Sequence, residues 1–208
     1  MKKSIFTFIF LIGCLAMQAQ TMSQSDSQLI AKIVEANKKH KTMTSDFKQT
    51  QHLSFIGDDI VSSGKFYYNK PDQLVMKYTD PAGNLMLING DNFVMVILGK
   101  VSKSTGKSNS KLREIKAILS GCLEGNMPLF GAKKVTCKET TQYYVVTAVI
   151  DETGKSDISK VVLSYDKTDY SLAILQTIEP DDNYTIYEFN NKKFNVTIDG
   201  SVFQEPKK

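Results

Sequence analysis

Two hydrophobic periods alternate along the chain and predict strands interrupted by two helices. The apolar residues from Leu29 to Val34 follow the 3.6-residue period of an amphipathic helix. Ser25 and Gln28 have the spacing of a capping box, so a helix is predicted over residues 25–39. A second stretch with helical spacing predicts a helix over residues 112–125. Elsewhere apolar residues mostly recur at every second position, which is typical of strands.

The predicted strands lie on both sides of the second helix and are separated by short turns, such as Asn89-Gly90. The polar stretch 99–110 has no period and is predicted to be a mobile loop. Strands are predicted at residues 43–55, 60–69, 74–78, 85–88, 93–98, 135–140, 143–150, 158–165, 172–179 and 184–189, with a further edge strand at 194–198. Antiparallel strands in this number must curl or close around a shared interior. The periodicity leaves open whether side chains fill that interior.

The first segment has the pattern of an export signal. Two lysines precede an apolar run that ends by Met17, and this run is shorter than the roughly 20 residues of a membrane-spanning helix. We therefore expect residues 1–19 to be a signal peptide and residues 20–208 to form a single domain in the periplasm. Leu11-Ile12-Gly13-Cys14 also matches a bacterial lipobox. This match leaves open an alternative in which Cys14 is lipidated and anchors the chain in the outer membrane.

Composition excludes several classes of function. The chain has 208 residues, of which 41% are hydrophobic and 23% charged, and this is typical of a globular protein. Its formal net charge of +4 is too small to indicate a nucleic-acid binder. Two His and three Cys give little material for a metal site or a Cys–His enzyme. We therefore expect no metal, no cofactor and no enzymatic activity.

The cysteines allow two interpretations. If Cys14 is removed with the signal, Cys122 and Cys137 remain as an even pair in an oxidising compartment. A disulfide between them and two small buried thiols are both consistent with the sequence, because the sequence does not fix their separation.

An ordered series of motifs spans residues 43–96. Asp46-Phe47-Lys48-Gln49 provides an aromatic-x-Gln motif, and the segment from Gly64 to Pro71 provides a glycine, an aromatic strand and a Lys-Pro pair. An apolar strand, the Asp80-Pro81 turn, and a second apolar strand with a glycine turn follow in order. At the C-terminus, Phe203-Gln204-Glu205-Pro206 provides a closing aromatic-x-x-Pro segment. In order and spacing this series resembles the LolA-type lipoprotein carriers of the bacterial periplasm.

The resemblance implies a mainly β (α+β) fold. It is a curled, incompletely closed antiparallel barrel of about 10–11 strands, covered by two or more short lid helices. Such carriers take acylated lipoproteins from an inner-membrane release transporter and pass them to an outer-membrane acceptor, without covalent chemistry. Burial of an acyl chain gains about 0.8 kcal/mol per methylene, so a chain in water needs an apolar host. We expect such a carrier to be a monomer.

One position departs from the family pattern. The family usually has Arg-Pro where this chain has Lys70-Pro71, and that arginine is implicated in latching the lid through backbone hydrogen bonds. Lysine lacks the planar donor fork of arginine, so the resemblance implies Lys70 as a latch that is weaker or absent. The family also favours Trp where this chain has Tyr67 and Met76.

The resemblance and the periodicity together predict two sets of apolar residues. The expected lining of the acyl-chain cavity is Phe47, Phe66, Tyr68, Leu74, Met76, Met86 and Phe93. The expected underside of the lid is Ile30, Ile33, Leu112, Ile115 and Leu119. Thioethers repack around irregular guests, although the same methionines are equally consistent with a filled core.

Two further functions remain open at this point. One is a LolB-like lipoprotein acceptor anchored through a lipidated Cys14. The other is a structural or interaction module whose barrel is filled by its own side chains.

Overall fold

The computed structural model describes residues 22–106, 110–124, 131–150 and 156–205. The predicted signal peptide and Cys14 lie outside these residues. The helices are α1, Gln24–Lys38, and α2, Ser110–Glu124, and a short 3-10 helix covers Gly200–Phe203. The strands are β1 Thr42–His52, β2 Ile60–Asn69, β3 Gln73–Asp80, β4 Ala82–Asn89, β5 Asn92–Ile97, β6 Lys100–Thr105, β7 Lys134–Glu139, β8 Tyr143–Val149, β9 Lys160–Asp166, β10 Leu172–Ile178 and β11 Tyr184–Phe194.

The eleven strands form one antiparallel sheet in the order β6-β5-β4-β3-β2-β1-β11-β10-β9-β8-β7. Each half of the sheet is a meander, and pairing between β1 and β11 joins the two halves. β6 and β7 are the edges, so the curled sheet does not close into a barrel. In sequence, α2 connects these two edge strands. The predicted fold class is therefore confirmed.

The two faces of the sheet have separate cores. The face covered by α1 and α2, here called the inner face, carries the main cluster of buried residues, which includes Phe47, Phe66 and Phe189. On the opposite or outer face, Val75, Leu87 and Val94 pack against Phe203 of the C-terminal 3-10 helix. Side chains alternate between faces along a strand, so β3, β4 and β5 supply both cores at once.

Three predicted elements differ from the structure. Within the stretch predicted as a loop, Lys100–Thr105 forms β6, whose mainly exposed residues give no hydrophobic period. The N-cap of α1 is Ser23, two residues before the Ser25 that the capping box indicated, and the Ser23 hydroxyl accepts a hydrogen bond from the Asp26 amide. Phe194 ends β11 rather than opening a separate edge strand.

Candidate functional site

Apolar residues form continuous rows across the inner face of the first half of the sheet. Adjacent strands place Met43 opposite Tyr68, Tyr68 opposite Leu74, Leu74 opposite Ile88 and Ile88 opposite Phe93. Directly opposed residues share a face and lie within side-chain contact of each other. The row therefore spans five strands without a charged residue.

A second row contains three methionines on neighbouring strands. Phe66 lies opposite Met76, Met76 opposite Met86, and Met86 opposite Met95. Met76 is fully buried, Met86 is 7% exposed and Met95 is half-buried against the core. Unbranched thioethers can adopt many shapes, so this part of the inner face can repack around a guest more easily than one of branched residues.

The aromatic-x-Gln motif has a structural role beside these rows. The ring of Phe47 packs edge-on against Tyr78, with ring centroids 5.1 Å apart, and the Tyr78 hydroxyl donates a 2.6 Å hydrogen bond to Gln49 Oε1. Burial raises the pKa of Tyr78 to about 12, so the hydroxyl remains a donor at neutral pH. A Cβ at Gly64 would lie 2.1 Å from the Lys77 carbonyl oxygen and 2.8 Å from the Phe47 ring. The glycine of the motif therefore makes room for Phe47.

Both helices cover this face with apolar side chains. Ile33 of α1 is fully buried, and Leu29, one turn earlier, packs against the same cluster. α2 contributes four buried apolar side chains in its second half: Ile118, Leu119, Cys122 and Leu123. Because these side chains belong to the same cluster as the sheet residues, the helices and the inner face share one core.

Polar contacts hold the C-terminal end of α1. Lys70 Nζ donates hydrogen bonds to the carbonyl oxygens of Asn37 at 3.2 Å and Lys38 at 3.4 Å. The side chain of Asn37 is 2% exposed, and its amide donates to the Tyr170 carbonyl oxygen at 2.7 Å and to Ile33 at 2.9 Å. A cation beside the last carbonyls of a helix also interacts favourably with the helix dipole. The ammonium of Lys70 therefore reaches the backbone of the helix even without a guanidinium fork.

α2 has its own polar contacts near its N-terminal end. Arg113 donates to the Gly106 carbonyl oxygen at 3.2 Å, and Lys116 donates to the Gly90 carbonyl oxygen. Glu114 accepts a 3.0 Å hydrogen bond from the Ser156 hydroxyl. These contacts fix the helix at the edge of the inner face, while its apolar residues lie over the sheet.

The predicted lining residues all lie together. Phe47, Phe66, Tyr68, Leu74, Met76, Met86 and Phe93 belong to the inner-face cluster, and each is at most 7% exposed. Their role in acyl-chain binding stays a prediction, because no acyl chain is present. For the predicted lid underside, Ile33 and Leu119 lie in the cluster and Ile30 is half-buried outside it. The side chains of Leu112 and Ile115 fall outside the described part of the structure.

Several inner-face residues had no clear sequence signal. Tyr165 and Phe189 come from the second half of the sheet, and sequence periodicity could not show that they face the same helices. Asn37 is a polar residue at a buried helical position, and only its contact with Tyr170 explains it. Leu29 is the exception, because its i, i+4 relation to Ile33 predicts that both residues lie on the sheet-facing side of α1, whereas Ile30 does not share this relation.

The cysteines and the other metal-binding residue types do not gather at one place in the described part of the chain. Within the described residues, no three His, Cys, Asp or Glu side chains cluster as metal ligands. Cys122 and Cys137 are free thiols in this structure, and Cys122 is buried whereas Cys137 is half-buried. Burial strongly raises the pKa of Cys122, and burial together with Asp26 raises the pKa of Cys137 to about 11. Both thiols are therefore protonated and poor nucleophiles at neutral pH.

Structural comparison finds several solved proteins that are similar to this chain. An uncharacterised conserved protein from Thermus thermophilus has a TM-score of 0.53 at 9% identity, with 88% of this chain and 95% of that chain covered. MucB has a TM-score of 0.54 at 9% identity, and the match covers 88% of this chain and 64% of MucB. The LolA superfamily protein NE2245 from Nitrosomonas europaea gives 0.46 at 7% identity, covering 86% and 97%. At 9% identity, the likeness to the Thermus thermophilus protein and to MucB extends to the fold alone.

Sequence comparison identifies the family. No curated protein sequence matches the chain significantly. The sequence profile described as outer membrane lipoprotein carrier protein LolA matches residues 38–205, which include every strand of the sheet and α2. The resemblance seen in the motifs between residues 43 and 96 is thereby confirmed over most of the chain. This protein belongs to the LolA family.

Proposed function

We propose that the protein is a periplasmic carrier that binds the acyl chains of lipoproteins between its helices and the inner face of its sheet. It would receive them from an inner-membrane release transporter and pass them to an outer-membrane acceptor. The observation that carries this proposal is the uncharged, methionine-rich inner face under two helices. Family membership adds support, because the family is described as lipoprotein carriers.

The helices must move for an acyl chain to bind. The proposed lining residues are buried by the helices, so the described arrangement corresponds to a closed carrier. The polar contacts of α1 involve one lysine, one asparagine and backbone carbonyls, which water can replace when the helix moves. An acyl chain would then contact the apolar surface that Ile33, Leu119 and Leu123 cover, and this contact offsets the loss of the helix packing.

The inner face also offers one polar group to a ligand. Ser45 lies opposite Phe66 and is 5% exposed, and within the described residues its Oγ has no hydrogen-bond partner. An unpaired buried hydroxyl is unfavourable by about 1–3 kcal/mol. The ester or amide carbonyl of an acylated lipoprotein could accept its hydrogen bond.

A titration with a fluorescent fatty acid tests this proposal. Delipidated protein purified after export should bind the probe saturably, and a diacylated lipopeptide should compete for the same site. Met95→Gln on the inner face should weaken binding several-fold, whereas Val101→Gln on the outer face of the neighbouring strand should not. Equal effects of the two changes would place the probe elsewhere, and no saturable binding would end the carrier proposal.

A second candidate is an interaction or structural module with a permanently filled interior. It is favoured by the tight packing of the inner-face cluster, in which Phe66 and Met76 are fully buried. The same titration separates the two candidates, since a filled interior predicts no uptake of the probe at any concentration.

The soluble carrier and the anchored acceptor differ at the N-terminus. Cleavage after residue 19 leaves an unmodified chain, whereas lipobox processing leaves diacylglyceryl-modified Cys14 as the first residue. Mass spectrometry of the mature protein distinguishes these species, and a modified Cys14 would replace the soluble carrier by a LolB-like acceptor. Within the described residues, neither helix has the length and apolarity to cross a bilayer.

A further inference from the structure

The exposed large apolar residues of the described chain lie on two hairpins. They are Phe55, Ile56, Ile60, Val61, Ile97, Leu98 and Val101, here called the tip surface. Phe55 and Leu98 are 79% and 83% exposed, and each occupies the connection of its hairpin, between β1 and β2 and between β5 and β6. Single exposed apolar residues scattered over a surface are normal. These seven are grouped on two hairpins instead, and such grouping is typical of an interaction surface.

Sheet topology puts both hairpin connections at the same end of the molecule. In an antiparallel meander, successive connections alternate between the two ends, so the first, third and fifth connections share one end. Between the β1–β2 and β5–β6 hairpins lie about four strand spacings, or roughly 20 Å along the sheet. Because the two hairpins are this far apart, a continuous flat surface can contact both of them more easily than a single pocket on a partner protein can.

The tip surface is continuous with the proposed binding region. Ile97 follows Phe93 and Met95 at every second position of β5 and therefore lies on the inner face. Ile60 has the same alternation with Phe66 on β2. Both isoleucines are nearly half exposed, at 49% and 43%, so the helices leave the inner face uncovered at this end.

The charges beside the tip surface indicate the kind of surface it meets. Among the described residues at this end of the sheet, exposed carboxylates outnumber exposed ammonium groups. The carboxylates are Asp58, Asp59, Asp80, Asp157, Asp181 and Asp182, and the ammonium groups are Lys100, Lys133 and Lys134. Carboxylates repel anionic lipids but complement the ammonium groups of zwitterionic headgroups. Apolar side chains at an interface enter the boundary between headgroups and acyl chains.

We propose that this end of the protein docks on a bilayer of zwitterionic lipids, with Phe55 and Leu98 inserted at the interface. This inference rests on the proposed carrier function, because docking at this end presents the uncovered inner face to the membrane in which a lipoprotein is anchored. The acyl chain would then pass between bilayer and carrier without crossing water.

Vesicle cosedimentation tests the docking. Protein purified after export is mixed with vesicles of phosphatidylethanolamine and phosphatidylcholine in equal parts, and the bound fraction is measured. The double variant Phe55→Ser/Leu98→Ser should bind at least about tenfold more weakly. The matched variant Phe55→Leu/Leu98→Met keeps the tips apolar and should bind like the wild type. All three chains have the same N-terminus, so a lipid on Cys14 would not account for a difference.

A second arm tests the charge. Replacing part of the phosphatidylethanolamine by phosphatidylglycerol should weaken binding. Absence of binding to the zwitterionic vesicles, equal binding by the serine variant, or stronger binding to the anionic vesicles would each overturn the proposal. The serine variant should keep the wild-type affinity for the fluorescent fatty acid. This measurement separates a failure of docking from a failure of the carrier function. If Phe55 and Leu98 contact a protein instead of a bilayer, the wild type should bind the vesicles only weakly, and the serine variant should bind them equally weakly.

Discussion

The two faces of strands β3, β4 and β5 are both buried, yet they are built and covered differently. The inner face carries Met76 and Met86, and two helices with polar contacts at their ends cover it. The outer face carries Val75, Leu87 and Val94, and the chain's own C-terminal segment covers it through Phe203. The comparison suggests a permanent packing on the outside and a removable cover on the inside.

The largest expected effect comes from truncating one phenylalanine on each face. Phe66→Ala on the inner face and Phe203→Ala on the outer face should each lower the free energy of unfolding by about 3–5 kcal/mol, because both side chains are buried. Urea unfolding measures this loss. Under conditions where both variants are folded, only Phe66→Ala should change affinity for the fatty-acid probe. An equal change from Phe203→Ala would break the distinction between the faces.

A glycine change tests how tightly the inner face is built. Gly64→Ala should lower the free energy of unfolding by about 1–3 kcal/mol, because its Cβ would meet the Lys77 carbonyl and the Phe47 ring. Gly200→Ala is the matched control, since a Cβ there meets nothing within 4 Å. If both variants unfold at the same urea concentration, the close approach of Phe47 to Gly64 is not a constraint.

Removing the contact of Lys70 with α1 tests whether the inner cover is removable. Lys70→Met should cost about 1 kcal/mol of stability through lost hydrogen bonds and helix-dipole interaction. It should also increase hydrogen exchange of the α1 amides and the rate of probe binding. Lys70→Arg keeps donors at this position and should retain protection. Faster exchange throughout the sheet, rather than in α1, would argue against a latch.

The smallest expected effect is a pH dependence near the same helix end. His40 stacks on Phe194 with ring centroids 4.0 Å apart, and burial, with Lys39, Lys70 and Lys192 nearby, lowers its pKa despite Asp169. The pKa of His40 is lower in the folded state than in the unfolded state, so folding favours the neutral imidazole. The free energy of unfolding is therefore highest above the unfolded-state pKa and decreases as the pH falls from there towards the folded-state pKa. Urea unfolding between about pH 7.5 and about pH 5.5 measures the change. His40→Gln should reduce this slope, and an unchanged slope would assign it to other groups.

Local sequence patterns predicted most of the sheet, because most of its strands have apolar residues at every second position and are bounded by turn residues. Ile60–Asn69 matches its predicted bounds, and the other predicted strands begin or end within a few residues of the observed ones, except that the edge strand predicted at 194–198 is absent from the described residues. β6 was missed because an edge strand with exposed residues has no buried face to produce a period. The motif residues Phe47, Gln49 and Gly64 were recognised in the sequence, but their mutual packing with Tyr78 is visible only in the structure.

The sequence by itself determined the strand and helix order, the family resemblance and the apolar character of the inner-face residues, since these depend on local periodicity and motif spacing. Consecutive apolar residues such as Leu74-Val75-Met76 also indicate burial on both faces of a strand. Only the tertiary structure decided that α1 and α2 cover one face and Phe203 the other, that Lys70 reaches the end of α1, and that Phe55 and Leu98 share one end. These relations join residues far apart in sequence, and no local period records which distant segment will pack against a given face.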